Sequence, residues 1–237
     1  MDPRAPAYAA PGSAYAARSY PLPHLYPQAH NRQIPFGAQA PSTGRKQRMI
    51  VRKAQPLEFE VVMDFYNFMI DATDGAPSSP RWERDVHPTR DEIRTSIDAG
   101  QIMVAVHQDA AATDPEDQNP LLAVMRLAQE PFYAPGTQWI NNVPDDLIST
   151  ISLLAVHPST QHQGIGRKMV RVAIAESMGW GVKSIRLDCI EGNDQAARLY
   201  ESLGFKKVGE GALHPATIPG VQFTVYEYAL PIISLDD

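Results

Sequence analysis

Residues 151–178 constrain the fold more tightly than any other stretch of the chain. Ile151-Ser152-Leu153-Leu154-Ala155-Val156 is a short, mostly apolar run stopped by Pro158, which suits a buried strand. The loop Gln161-His162-Gln163-Gly164-Ile165-Gly166 follows. Met169, Val170, Ala173, Ile174 and Met178 then recur at helical spacing, with Arg167, Lys168, Arg171 and Glu176 off the stripe. A strand that turns into a helix in this way aims the unpaired N–H groups of the helix's first turn at the loop. Gly164 and Gly166 carry no side chain that could hold an anion away from those donors. The helix dipole adds partial positive charge, and Arg167 and Lys168 add whole charges. The segment is a candidate phosphate cradle, although a Gly-x-Gly pair alone also suits a plain strand–helix turn.

The rest of the chain places this segment inside an α/β (α+β mixed) domain. Arg48 to Arg52 suits a first strand, and Pro56 opens a helix over 56–72 with Leu57, Val61, Phe65, Phe68 and Met69 as its buried face. Residues 73–88 read as a loop, and Thr89 caps a helix over 90–99 that Gly100 stops. Strands at 101–106 and 121–127 flank a polar turn, and a long connection, 130–147, leads to the strand at 149–156. After the helix at 164–179, Ser184 to Ile190 alternates as a strand. Asn193 caps a short helix whose Ala196, Leu199, Tyr200 and Leu203 share one face, and Gly204 falls where a left-handed cap is needed. Strands near 205–209 and 221–230 close the chain. The order β-α-α-β-β-β-α-β-α-β-β predicts a mixed sheet with helices on both faces.

Composition narrows the class. Residues 1–46 hold eight of the 21 prolines and four of the nine tyrosines, with Ala-Tyr-Ala-Ala occurring twice, so they read as a disordered basic extension to a domain at 47–237. Five basic residues against Asp2 give this extension +4 and leave the remainder at −10, a poor footprint for nucleic acid. No apolar run approaches the roughly 20 residues that span a bilayer, and Met1-Asp2-Pro3-Arg4 leads into no apolar leader segment. The single cysteine, Cys189, excludes an internal disulfide and a cysteine-cluster zinc site, and the histidines lack ligand spacing. The expectations are a cytoplasmic protein, no metal, no nucleic-acid partner and no membrane partner.

Two motifs together carry a family resemblance. Leu153-Leu154-Ala155-Val156-His157-Pro158, followed by Gln161-x-x-Gly164-x-Gly166, resembles the acetyl-CoA-binding motif of the GCN5-related N-acetyltransferase (GNAT) superfamily. Asn193-x-x-Ala196-x-x-x-Tyr200-x-x-x-Gly204-Phe205 resembles that superfamily's second motif. The resemblance covers about 149–210 and extends loosely over 47–148. It implies a mostly antiparallel sheet of six to seven strands, with one strand pair splayed to admit the cofactor, and direct acetyl transfer to an amine in a ternary complex. Acetyl-CoA (coenzyme A) is the implied cofactor. Its pyrophosphate falls to the amides of Gln163, Gly164, Ile165, Gly166 and Arg167, with Gln161, His162 and Lys168 around them. Its pantetheine arm falls to Leu154, Ala155 and Val156, and Asn193 and Ala196 flank it. The Leu154 N–H is the implied oxyanion donor and Tyr200 the implied general acid, although its place on the helix also suits a core aromatic.

The acceptor end carries no motif. The expected acceptor is an amine of a small molecule or peptide, walled by the 73–88 and 211–220 loops, with Trp82, Glu83 and Ser152 as the candidate contacts. Residues 151–156 lack the glutamate that serves some relatives as base, so the candidates pass to Glu83, Asp85, His87 and His157. A homodimer is the assembly considered. The rival functions are a non-catalytic acyl-CoA-binding module and an interaction protein working through its basic tail.

Overall fold

In the computed structural model, the structure describes residues 48–76, 79–108, 121–132, 134, 136–211 and 222–232. The expected tail at 1–46, most of the 107–120 turn and the 211–220 wall lie outside these residues.

Among the described residues seven strands form one sheet. They are β1 (Met49–Lys53), β2 (Ile102–His107), β3 (Leu121–Ala128), β4 (Ile148–Val156), β5 (Ser184–Ile190), β6 (Lys206–Gly211) and β7 (Phe223–Ala229). Their order is β1-β2-β3-β4-β5-β7-β6, and every neighbouring pair is antiparallel except β4 with β5. Helices α1 (Phe59–Thr73) and α2 (Arg90–Asp98) bury their apolar residues with Val104, Val124 and Leu153 on one face. Helices α3 (Ile165–Gly179) and α4 (Asp194–Ser202) cover the other, over Met125, Ile151, Ile185 and Leu187. The element order and the sheet with two covered faces match the expectation. Among the described residues no helix is long and apolar enough to cross a membrane.

Two helix faces differ from the expected ones. Pro56–Glu58 is a separate 3-10 turn, clamped by the two Arg52–Glu58 contacts of 2.7 Å and by the Gln55 N–H on Glu58 at 2.8 Å. The α-helical phase therefore starts at Phe59. Its buried stripe is Phe59, Val62, Met63, Tyr66 and Met69, joined by Phe65, while Leu57 is 94% exposed and Phe68 is exposed as well. In α3 the last buried position is Ser177, whose hydroxyl lies 2.8 Å from that of Ser149, and Met178 turns to solvent.

The 130–147 connection is tied to the sheet rather than loose. Buried Glu227 accepts from the N–H groups of Ile140 (2.5 Å) and Asn141 (3.2 Å) and from the Ser184 hydroxyl (2.5 Å). Buried Arg186 donates to the carbonyls of Phe132 (3.1 Å) and Asn141 (3.2 Å) and stacks on Trp139 at 3.8 Å. The connection thereby becomes a wall over the β5 side of the sheet.

Candidate active site

The site begins where β4 leaves both of its neighbours. With β5 its register runs only from Ile148↔Ser184 to Thr150↔Arg186, after which the strands part. With β3 the register shifts between Val124↔Ala155 and Arg126↔Ser152, so Leu153 and Leu154 together oppose Met125. This is a β-bulge, with Leu153 at φ 53°. Tyr66 supports it from α1, its hydroxyl donating to the Leu153 carbonyl at 3.0 Å. Burial pushes the Tyr66 hydroxyl pKa well up, so it stays a donor. Leu154 has no register partner in β5, and on the β3 side the bulge sets it outside the regular ladder.

Beyond β4 the chain makes a 3-10 turn at Pro158–Thr160 and enters α3 through Gly164. Gly164 is the N-cap at φ 78°, a left-handed conformation that favours glycine, and no side chain caps the helix. The first-turn amides thus face a groove of about 590 Å³. Gly166 serves another purpose: a Cβ there would meet Leu199 at 3.3 Å and Val156 at 3.5 Å, so its bareness lets α3 pack close to α4 and β4. Arg167 lines the groove, and its guanidinium donates to the Ser202 hydroxyl at 2.7 Å.

A second cavity of about 420 Å³ lies between the parted strands. It shares Pro80, Trp82, Leu154, Asn193, Ala196 and Tyr200 with the groove, so the two spaces meet at the bulge. Trp82 stands against Tyr66 in an edge contact, ring centroids 5.4 Å apart. The Asn193 side chain accepts from the Ala196 N–H at 3.1 Å, as an N-cap. Tyr200 is buried between Phe205 (5.9 Å) and Tyr226 (6.0 Å), and burial raises its hydroxyl pKa far above the usual phenol range. Burial also pushes the Cys189 thiol up to about 12, so it stays a neutral wall group.

The expected site residues fall into three sets. Gln161, His162, Gly164, Ile165, Gly166, Arg167, Ala155 and Val156 line the groove, while Ser152 lines the inner chamber and Leu154, Trp82, Asn193, Ala196 and Tyr200 line both spaces. The Gln163 side chain reaches the Ser159 carbonyl at 3.4 Å, and Lys168 donates to the Met49 carbonyl at 2.6 Å, joining α3 to β1. Glu83 is held in a backbone bridge with His87. Of the four candidate bases only His87 lines the chamber; the His157 ring stacks on Phe68 at 4.7 Å, and its Nδ1 meets Ser159. Sequence reasoning missed Tyr66, Phe132 and Asp188 as site residues. Asp188 was legible as a polar position on an alternating strand, but the other two join the site only through long-range packing.

Comparison with known proteins gives the family. The model of the Acetyltransferase (GNAT) family matches residues 80–205, more than half of the chain, and the chain belongs to that family. The family's donor is acetyl-CoA. A mycothiol acetyltransferase of Thermomonospora curvata is 26% identical over 206 residues. The match takes in 81% of this chain and 63% of that relative's length. A GCN5-related N-acetyltransferase from Kribbella flavida superposes with a TM-score of 0.54 at 19% identity, over 77% of this chain and 98% of its own. The structure of yncA from Salmonella typhimurium with its cofactor acetyl-CoA superposes at 0.53 and 16% identity, over 80% and 98%. These two likenesses concern the fold.

Proposed function

We propose that the protein is an N-acetyltransferase moving an acetyl group from acetyl-CoA to an amine of a small molecule or peptide, by direct attack in a ternary complex. The observation that carries this reading is the junction of the two cavities at Leu154, Asn193 and Tyr200, with Trp82 bordering both. A groove at a helix N-terminus suits an anionic donor, and the chamber beyond it gives a second reactant access to the same backbone. Acetyl-CoA, when bound, supplies an acyl group activated as a thioester.

The chain's own groups fit those demands. The first-turn amides of α3 and Arg167 hold the anionic end. The open edge of β4 at Leu154 to Val156 orients the extended arm by backbone pairing. The Leu154 N–H is the donor for a carbonyl oxygen at the bulge. The Tyr200 hydroxyl, kept protonated by burial, is the donor for the departing sulfur. Trp82 and Phe132 give the chamber aromatic walls. A cytoplasmic site of action belongs to the same reading, supported by the single buried thiol at Cys189.

The test is thiol release from acetyl-CoA across a panel of primary amines. At least one amine is expected to stimulate release well above hydrolysis. Coenzyme A binding without stimulation by any amine overturns the enzyme and favours a cofactor-sensing module.

A further inference from the structure

A primary ammonium must lose a proton before its nitrogen can attack, and β4 carries neither a carboxylate nor a histidine. Two of its polar side chains are engaged, Ser149 with Ser177 and Thr150 with the Glu130 carbonyl at 3.1 Å, and the third, Ser152, offers only a weakly basic hydroxyl. The proton acceptor must come from another wall. We propose that His87 is the general base of this site and that Glu92 positions it; the inference rests on the transferase reading above.

His87 lines the chamber that contains Ser152, Leu154 and Tyr200. Its backbone is fixed by the bridge to Glu83, with N···O distances of 3.2 and 3.0 Å. Its Nδ1 lies 3.5 Å from a Glu92 carboxylate oxygen. Glu92 occupies the third position of α2, where its N–H donates to the Thr89 hydroxyl at 3.1 Å and its carboxylate faces the Thr89 N–H. Behind it stands Arg126, held by Gln101 (3.1 and 2.8 Å), by Ser96 (3.1 Å) and by Glu130. Partial burial raises the Glu92 carboxyl, but His87, the Thr89 amide and Arg126 outweigh it and hold the pKa below the usual range. A carboxylate so fixed selects the Nδ1–H tautomer and leaves Nε2 to take a proton. The His87 side chain is 32% exposed, so the proton can pass on to water. Among the described residues the other titratable groups around the chamber are Asp188 and Cys189 from β5, Tyr200 from α4 and Tyr66 from α1. Burial keeps the last three neutral, which makes Asp188 the rival base among the described residues.

The proton balance closes. His87 Nε2 takes one proton from the ammonium and passes it to solvent. The freed nitrogen forms the N–C bond as the C–S bond breaks, and the sulfur leaves with the bonding pair. The second nitrogen proton leaves the amide product and offsets the one that Tyr200 delivers to sulfur, so one proton is released per turnover.

The experiment measures acetyl-CoA thiol release with benzylamine, phenethylamine, putrescine and a tripeptide with a free α-amine, as a function of pH, with coenzyme A binding by calorimetry as the companion reading. His87→Gln is expected to lower kcat/KM by about 100-fold or more and remove the acidic limb of the profile, with coenzyme A binding retained. Glu92→Gln is expected to lower kcat about tenfold with KM and coenzyme A binding little changed, a split that a merely structural role would not give. Wild-type turnover whose acidic limb survives in His87→Gln, or vanishes only in Asp188→Asn, overturns the base and leaves the transferase standing. No wild-type turnover with any amine overturns the transferase reading and the base with it.

Discussion

Tyr200 occupies a position that serves two ends at once. Its ring is core, packed against Phe205 and Tyr226, and its edge borders both the groove and the chamber. Tyr200→Phe keeps the ring and removes only the hydroxyl. The expected result is a kcat lowered about 10- to 1000-fold with coenzyme A affinity within a few-fold of wild type, read by steady-state kinetics and calorimetry. Equal losses in kcat and in coenzyme A affinity would instead mark the hydroxyl as a binding group. The motif named this residue, and a helical stripe with an Asn cap sets the direction of its side chain. His87 differs. It appeared in the sequence only as one of four candidates, because its partner Glu92 and the chamber wall come from different local elements.

At the scale of the element, the junction of β4 with α3 determines whether the donor groove exists. Gly164 at φ 78° and Gly166 against Leu199 make different demands. Gly164→Ala forces a side chain into the left-handed region and is expected to cost about 1–2 kcal/mol. Gly166→Ala asks Leu199 to yield by a few tenths of an ångström and is expected to cost less. Thermal melts should rank the two, and Gly164→Ala should also weaken coenzyme A binding by shifting the first-turn amides of α3. The glycines stood out in the sequence, yet their separate purposes did not, since φ and the neighbour on α4 belong to the folded chain. The same limit explains α1. Its composition predicted a helix, but the Arg52–Glu58 clamp delayed the helical phase to Phe59 and so brought Tyr66 under the bulge.

At the scale of the molecule, buried charge ties a long connection to the sheet. Arg186→Ala removes two donations to carbonyls and the stack on Trp139, and it is expected to cost about 3 kcal/mol. A lower urea midpoint and faster amide exchange at Ile140 and Asn141 would show it. Acid sensitivity has its own source. The Arg52 guanidinium beside Glu58 and the partners of Glu92 hold both carboxyls below their ordinary values. Their contribution is present above the unfolded carboxyl value near about 4.3 and is lost as pH falls through the lower folded values. Stability should therefore decline between about pH 5 and 3, and less steeply in Glu58→Gln with Glu92→Gln; Glu58 is partly exposed, so its share stays under about 1 kcal/mol.

What the sequence determined alone was whatever depends on near neighbours: the element order, the caps at Thr89 and Asn193, the left-handed Gly204 at φ 102°, and the family carried by two short motifs. Tertiary structure decided the rest. It set the parting of β4 from β5 after Thr150, the bulge under Tyr66, the wall made from 130–147, and the meeting of His87 with Glu92 beside the bulge. Periodicity and capping are read over a few residues, whereas the reaction space is enclosed by pairs such as 66 with 153 and 141 with 186, whose proximity exists only after the sheet has brought them together.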